Sequence, residues 1–335
     1  MSMWWNKHLN VDTNEGVLQQ LQLLHSDGIN LSIDELLHYQ SKASLLNLAP
    51  KKAVQGHLSG NYLARSKGRG MEFDEVRHYQ TGDDIRAIDW RVTARTGTTH
   101  TKLFKEEVER PVLIATDLGQ SMFFGSKLLF KSVQACHIAS LVAWHAKKRG
   151  DRIGGLVFNE IEHQELKPRS RLHGVLHYLH ALEELHTQGL ADWQQNQQSD
   201  GSYFIENCNR LRQLVRPGSL VYLITDGNHF TEEALLPLTQ LSSHCELVIC
   251  QVWDPLEVEL PESRHKTSVA ITDGTMKQQL TLGDKKTAER YQQKAQIMNQ
   301  FKQQMYQKAG ARYINFSSGS SIEQQLKSGV ESWIR

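Results

Sequence analysis

The sequence predicts an α/β protein with a doubly wound, mostly parallel sheet, and two features lead to that prediction. Several short segments are apolar from end to end, such as VLIATD at 112–117, SLVYLITD at 219–226 and CELVICQVWD at 245–254. Segments with the spacing of packed helices separate them, for example 127–150. Strands without a polar face are typical of a parallel sheet that helices cover on both sides.

The composition is that of an ordinary globular protein. The chain has 335 residues, of which 39% are hydrophobic and 22% charged, and this length fits one large domain with an attached module. Its formal net charge of +1 provides no overall field that would attract nucleic acid or an anionic membrane. We therefore expect partners other than nucleic acid.

The ends and the cysteines suggest where the chain resides. No apolar run approaches the roughly 20 residues that span a bilayer, and the first ten residues contain no apolar signal core. We expect a protein of the cytoplasm without a membrane span. The four cysteines form no C-x-x-C pair, and we interpret them as reduced, mostly core residues.

Residues 1–110 are predicted to form an N-terminal α+β module. Residues 11–48 have helical spacing, and Ser32 is predicted to cap a helix because Glu35 follows three residues later. Towards the end of this module, the segment THTKLFKEEVERP at 99–111 is predicted to be extended.

Residues 111–335 are predicted to form the second domain, because the alternation of apolar strands and helices begins at Pro111. A small β insertion is expected at 255–283, where short extended pieces such as SVAIT and QQLTL alternate with turns. A polar helix at 286–309, a last strand and a closing helix complete the predicted domain.

The segment 66–95 combines charge, glycine and aromatic residues more densely than any other. Its glycines indicate turns and loops, whereas its large aromatic side chains argue against a linker. Acids that alternate with arginines form a salt-bridged surface or a docking face more often than an active site. The residues predicted to dock a partner are Asp83, Asp84, Arg86, Asp89 and Arg91.

Two of the predicted strands end in an acid, Asp117 and Asp226. In open α/β sheets, ligands bind beyond the carboxyl ends of the strands, near the point where the strand order reverses. Carboxylates there, together with the hydroxyl of Ser121, form a set of oxygen ligands suited to Mg²⁺. Because Asp is also common at strand ends as a turn former and helix cap, a structural role for either acid stays open.

These acids lie in a recognisable pattern. The order Asp117-x-Gly119-x-Ser121, with Asp226 in a later TDG, resembles a von Willebrand factor A domain. In that family a D-x-S-x-S motif, a middle Thr and a later Asp form a metal-ion-dependent adhesion site. The resemblance implies that Asp117, Ser121 and Asp226 are ligands of Mg²⁺, with Ser202 as the candidate for the middle Thr. Gly119 replaces the first Ser, so a scaffold with a dead metal site is an alternative.

A second resemblance covers about residues 45–330. GRGMEF at 68–73, VRHYQTGDDIRAIDW at 76–90, TARTG at 93–97 and DPLEVELP at 254–261 resemble the bacterial domain of unknown function 58 family. Members of this family are typically encoded alongside MoxR-type AAA+ ATPases. The resemblance implies an adaptor or co-chaperone of such an ATPase, with other von Willebrand factor A-type proteins as further partners.

We therefore expect a non-enzymatic protein-binding module in which Mg²⁺ at the strand ends bridges to a carboxylate of the partner. The alternative is a metal-dependent hydrolase that uses the same acids, although the sequence offers no convincing nucleophile or general base beside them. Three histidines near one face of a predicted helix could bind zinc, but no carboxylate follows them in the H-E-x-x-H pattern, and we interpret them as a surface: His173, His177 and His180.

Overall fold

The computed structural model describes residues 11–45, 71–106, 110–194, 201–261, 263, 266–272 and 277–328. The described residues divide into two compact units. The larger unit is made of residues 11–45 together with residues from 110 onward, and the smaller unit is made of residues 71–106.

The larger unit contains a six-stranded sheet with the strand order β10-β7-β6-β3-β4-β5. All neighbouring strands are parallel except the edge strand β5, which runs antiparallel to β4. The strands are β3 (Pro111–Asp117), β4 (Arg152–Phe158), β5 (His163–Arg169), β6 (Leu220–Thr225), β7 (Glu246–Trp253) and β10 (Arg312–Ser317).

The strand order confirms the predicted fold class. The chain starts in the middle of the sheet with β3, adds β4 and β5 on one side, and then adds β6, β7 and β10 on the other. This reversal is the hallmark of a doubly wound sheet, and it creates a crevice between the carboxyl ends of β3 and β6. The larger unit therefore has a von Willebrand factor A-like architecture.

Helices cover both faces of this sheet, as the fully apolar strands predict. Successive residues of a strand point to opposite faces, and they enter two separate hydrophobic clusters: Ile114 belongs to one and Ala115 to the other. The helices are α1 (Val11–Leu24), α2 (Ile33–His38), α4 (Lys131–Lys148), α5 (Arg171–Gln194), α6 (Ser202–Leu214), α7 (Glu232–His244), α8 (Pro255–Val258), α9 (Lys285–Lys308) and α10 (Ile322–Lys327).

The N-terminal helices belong to the larger unit, which differs from the predicted division at residue 110. Leu36 of α2 is buried, and its carbonyl accepts hydrogen bonds from Ser140 Oγ at 2.7 Å and Trp144 Nε1 at 3.2 Å. Because α2 packs on α4, its apolar face completes the core of the sheet domain. Ser32 caps α2 as predicted, but the helix ends at His38 and not near residue 48.

The smaller unit is an antiparallel pair of strands with one short helix. β1 (Met71–His78) pairs with β2 (His100–Glu106), which confirms the predicted extended segment. Between them lies α3 (Trp90–Thr96), which the sequence analysis missed. Its ends carry ordinary signals, since Asp89 caps the first turn and Gly97 adopts a left-handed φ of 74° after the last.

The predicted β insertion is a hairpin after the fifth strand of the sheet. β8 (Thr267–Thr272) pairs antiparallel with β9 (Lys277–Leu282). The segment VEL at 258–260, predicted to be another extended piece, forms no strand: Val258 ends the short helix α8, which Asp254 begins with a capping box, and only then does the backbone become extended at Glu259.

Two further predictions from the sequence concern the state of the cysteines and membrane-spanning segments. All four cysteines are unpaired, and Cys136, Cys208 and Cys250 are buried. Among the described residues, no helix has the length and apolar character that crossing a membrane requires.

Candidate functional site

Asp117 and Asp226 meet at the carboxyl edge of the sheet. β3 and β6 are parallel neighbours in which Thr116 lies opposite Ile224, so the residues that follow these strands emerge side by side. Both acids are fully buried. Burial, and then the nearby charge of Asp226, raises the pKa of Asp117 to about 6.

The carboxylate of Asp117 is occupied by donors from the protein itself. Its Oδ1 accepts hydrogen bonds from the backbone N–H of Gly119 at 3.0 Å and from the hydroxyl of Tyr203 at 3.2 Å. Its Oδ2 accepts from Thr225 Oγ1 at 2.7 Å. Both oxygens of this acid therefore have internal partners.

Gly119 stands where the adhesion-site motif has its first serine, and the structure leaves no room for a side chain there. A Cβ on Gly119 would lie 2.0 Å from the hydroxyl oxygen of Tyr203 and 3.0 Å from Oε1 of Glu160. Burial and the charge of Asp117 raise the pKa of Tyr203 well above its ordinary value, so its hydroxyl stays protonated as a donor. The tyrosine fills the space of the missing serine.

Asp226 forms a buried ion pair with Lys131. Nζ of Lys131 lies 2.8 Å from Oδ2 of Asp226. The backbone N–H and the side-chain amide of Asn228 also donate to this carboxylate, at 2.9 and 2.7 Å. Although burial opposes ionisation, the charges of Lys131 and Lys302 hold the pKa of Asp226 well below its usual range.

Two lysines thus surround the acid at the end of β6. Lys131 also contacts Oε1 of Glu257 at 2.5 Å, and although burial works against it, the carboxylates of Asp226 and Glu257 raise the pKa of Lys131. Lys302, from α9, donates to the backbone carbonyl of Asp226 at 2.9 Å and to Oδ1 of Asn228 at 2.7 Å. Neither lysine was identified from the sequence.

The two predicted hydroxyl ligands lie in different environments. Oγ of Ser121 is buried and has no hydrogen-bond partner among the described residues. Ser202 is exposed in the first turn of α6, while the next residue, Tyr203, contacts Asp117. The structure therefore gathers Asp117, Ser121 and Asp226 at one edge and turns Ser202 towards solvent.

A further carboxyl group at this edge, that of Glu160, was also missed in the sequence. Glu160 follows the end of β4, and its Oε1 accepts a hydrogen bond from the backbone N–H of Gln120 at 2.6 Å. Burial raises the pKa of Glu160 to about 7, and the charges of Asp117 and Asp226 add to this effect. The signal was available, because Glu160 follows an apolar strand as Asp117 and Asp226 do.

This donor set does not fit the predicted Mg²⁺ site. Mg²⁺ requires about six oxygen ligands in near-octahedral geometry. Gly119 offers none, the oxygens of Asp117 have internal donors, and the ammonium of Lys131 lies where a cation would approach Asp226. The buried hydroxyl of Ser121, which has no hydrogen-bond partner among the described residues, is an oxygen that favours a ligand. No group of three His, Cys, Asp or Glu residues suited to a metal occurs within the described parts of the chain, and this includes the three histidines of α5.

In the smaller unit, the predicted docking residues divide by charge. The acidic side chains bond to groups nearby in the chain. Asp83 accepts a hydrogen bond from Arg77 at 2.7 Å and another from the backbone N–H of Gln80 at 2.9 Å. Asp84 caps the short 3₁₀ turn that follows it, and Asp89 caps α3. These carboxylates therefore hold turns together, which the sequence analysis did not foresee.

The basic and apolar side chains of the same segment face solvent. Arg86 and Arg91 are exposed, as are Ile85 and Trp90, of which Trp90 is 66% exposed. Trp90, one of the large aromatic side chains of this segment, is thus a surface residue within its unit. The glycines Gly68 and Gly70 lie outside the described residues.

The fold and the strand-end acids define a von Willebrand factor A-like protein, and comparison with known families narrows this class. Residues 75–303 match the model of the family described as protein of unknown function DUF58. The chain belongs to this family, as the resemblance of its charged segment predicted.

Three curated proteins are similar to this chain in sequence. Uncharacterized proteins of Mycobacterium tuberculosis and Mycobacterium bovis are each 29% identical to this chain over 219 residues, which is 65% of the chain. The chain spans 66% of the length of these relatives.

Similar solved structures include von Willebrand factor A-type and related proteins. A conserved hypothetical protein BatB from Bacteroides thetaiotaomicron has a TM-score of 0.42 and 15% identity over 65% of this chain and 94% of its own. An aerotolerance-related membrane protein from Bacteroides fragilis has a TM-score of 0.40 and 16% identity over 66% and 98%. A von Willebrand factor type A protein from Catenulispora acidiphila has a TM-score of 0.32 and 15% identity over 46% and 35%. With scores this low, the fold assignment rests on the strand order itself.

Proposed function

We propose that this protein is a non-enzymatic protein-binding module that docks a partner through the carboxyl edge of its sheet. The observation that carries the proposal is that the two acids at this edge are buried and bound by internal donors. A carboxylate with its oxygens so occupied is a poor general base or nucleophile, because it cannot reach a substrate without breaking those bonds. An edge whose acidic groups are held by internal hydrogen bonds has a fixed shape, which suits the recognition of a partner protein.

The rim of this edge supports a binding role. Phe124, in the loop after β3, is 38% exposed, and Ile161, in the turn after β4, is 57% exposed. Exposed apolar side chains beside polar groups are typical of surfaces that bind other proteins. In this proposal Phe124 and Ile161 supply the apolar contacts, and Ser202, which is also exposed, supplies a polar one.

The partner we propose is a MoxR-type AAA+ ATPase, for which this protein would act as adaptor or co-chaperone. The resemblance to the DUF58 family supports this finer assignment. The family resemblance also suggests other von Willebrand factor A-type proteins as partners. Within the smaller unit, the exposed Trp90, Arg86 and Arg91 offer a second contact surface, in which the ring would fill an apolar pocket and the guanidinium groups would pair with acids.

Binding to a purified MoxR-type ATPase of the same organism tests the proposal. Ile161→Asp and Phe124→Asp place a charge in the apolar rim, and each is expected to weaken binding at least about tenfold. Leu172→Asp is the matched control, because Leu172 is 44% exposed but lies at the opposite edge of the sheet, where the antiparallel β5 ends and α5 begins. Unchanged affinity of both rim variants would remove the carboxyl edge as the docking surface.

One observation favours a rival function. Glu160 and Asp117 have raised pKa values of about 7 and about 6, and carboxyl groups perturbed in this way cluster at catalytic sites. A hydrolase would use them as an acid–base pair. A screen of phosphate and carboxylate esters with and without Mg²⁺ tests this rival. Turnover that disappears in Glu160→Gln would establish the enzyme and displace the binding proposal.

A further inference from the structure

We infer that the ammonium of Lys131 is the resident cation of the strand-end site and takes the role that the adhesion-site resemblance gives to Mg²⁺. Nζ of Lys131 lies between two carboxylates, 2.8 Å from Asp226 and 2.5 Å from Glu257. The lysine side chain is 1% exposed. The inference concerns the charge balance of the site and holds independently of any docked partner.

The position of Lys131 in its helix would be unfavourable for a lysine without the two carboxylates. Lys131 is the first residue of α4, and the first turn of a helix carries a positive partial charge that disfavours a cation. Burial of an ammonium is also costly unless it is paired and hydrogen-bonded. Both effects oppose a lysine here, so its pairing with Asp226 and Glu257 must compensate for them.

A second ammonium strengthens the same charge balance. Lys302 reaches the end of β6 from α9 and donates to the backbone carbonyl of Asp226 and to the side-chain oxygen of Asn228. A divalent ion beside Asp226 would face two ammonium groups at close range, and this repulsion acts in a site with little water to screen it. The protein therefore already holds the positive charge that the acids require.

The site also has too little space for the hydroxyl ligands that Mg²⁺ would need. A serine at position 119 would collide with Tyr203, whose hydroxyl occupies that volume. The buried hydroxyl of Ser121 lacks a partner among the described residues, and one water molecule would satisfy it. One hydroxyl supplies a single ligand of the roughly six that Mg²⁺ requires.

The inference is tested by thermal unfolding of the full chain, which is first treated with EDTA to remove bound metal. The melting temperature of the unaltered protein is expected to be the same with and without millimolar MgCl₂, because a ligand that does not bind the native state does not stabilise it. Lys131→Ala is expected to lower the melting temperature by about 10 °C. Methylammonium is expected to restore part of this loss by supplying an ammonium group beside Asp226.

Two further variants control the experiment. Lys148→Ala removes an exposed lysine from the same helix and is expected to change neither the melting temperature nor its dependence on cations. Lys131→Arg keeps the charge and is expected to remain insensitive to Mg²⁺, which provides the decisive comparison if Lys131→Ala does not fold. A rise in the melting temperature of the unaltered protein with Mg²⁺ that Asp226→Asn abolishes would overturn the inference. Equal stability of Lys131→Ala and the unaltered protein would also overturn it.

Discussion

The carboxyl edge of the large sheet and the charged segment of the smaller unit use the same residue types in opposite ways. At the sheet edge, Asp226 and Lys131 are buried together and bound on all sides by the protein. In the charged segment, Asp83 and Asp89 stabilise turns near the surface, and Arg91 faces solvent. The difference between the two regions is burial and not composition.

Burial determines how much an ion pair between an acidic and a basic side chain contributes to stability. A pair at the surface is worth roughly 0–1 kcal/mol, because water screens it and holding two long side chains costs entropy. A buried pair contributes less than its Coulomb energy suggests, but the loss of one partner leaves a charge with neither water nor counter-ion. The sheet edge should therefore be sensitive to single substitutions, and the charged segment should tolerate them.

The sharpest test of this contrast compares Asp226→Ala with Asp83→Ala. Removal of Asp226 leaves the buried ammonium of Lys131 with only the partly exposed Glu257, and we expect a loss of about 3–5 kcal/mol in the free energy of unfolding. Removal of Asp83 breaks a part-exposed pair with Arg77 and one backbone hydrogen bond of a surface turn, and we expect a clearly smaller loss. Urea denaturation at neutral pH measures both values, and similar losses would contradict the contrast.

The next largest effect is expected when the missing serine is restored. Gly119→Ser places a Cβ 2.0 Å from the hydroxyl oxygen of Tyr203, and overpacking of this kind costs about 1–3 kcal/mol. Removal of that oxygen in the double variant Gly119→Ser/Tyr203→Phe should recover part of the loss. Urea denaturation of the single and double variants checks this coupling. Full stability of the single variant would mean that Tyr203 moves aside without cost.

A smaller and pH-dependent effect is expected at Glu160. Burial raises its pKa from 4.5 to about 7, so the stability that its carboxyl group contributes is present below about pH 4.5 and is lost as the pH rises through 7. Glu160→Gln should therefore be more stable than the unaltered protein at pH 8, by about 1–2 kcal/mol after solvent screening, and not at pH 4.

Melting curves across this pH range measure the difference. Glu165→Gln is the control, because Glu165 is an exposed carboxyl group on the neighbouring strand β5. A Glu160→Gln variant whose stability follows the unaltered protein at every pH would mean that the carboxyl group titrates normally.

The smallest effect on stability is expected at Trp90. The residue is 66% exposed, so Trp90→Ala should change the free energy of unfolding by no more than about 0.5 kcal/mol. If the ring contacts a partner, the same substitution should weaken binding to the MoxR-type ATPase at least about tenfold. Melting curves and binding titrations separate the two effects, and a large loss of stability would mean that Trp90 is a packing residue.

Much of the fold was predictable because its strands are apolar on both faces. The segments that end at Asp117 and Asp226 have no polar alternation, and this pattern occurs mainly in parallel strands buried between helices. The meeting of the two acids followed from the rule that strand ends align at the switch point. Their position was therefore predictable without knowledge of any contact.

The partners of these acids were not predictable from the sequence. Lys131 is 95 residues from Asp226, and Tyr203 is 86 residues from Asp117. A lysine at the start of a helix usually faces solvent, and nothing in the local pattern marks this one as buried. The short helix α3 was missed for a different reason, since the charge of its surroundings outweighed the capping signals of Asp89 and Gly97.

The docking of α2 on α4 has a consequence for the order in which the chain can fold. The carbonyl of Leu36 and the indole of Trp144 are 108 residues apart, and the residues of the smaller unit lie between them in the chain. During synthesis, α2 is made before α4. The surface of α4 on which α2 packs therefore does not exist until the whole segment between them has been made. A truncated chain that begins at Arg110 would leave the α4 surface around Ser140 and Trp144 open to water, so it should aggregate where the longer chain stays dispersed.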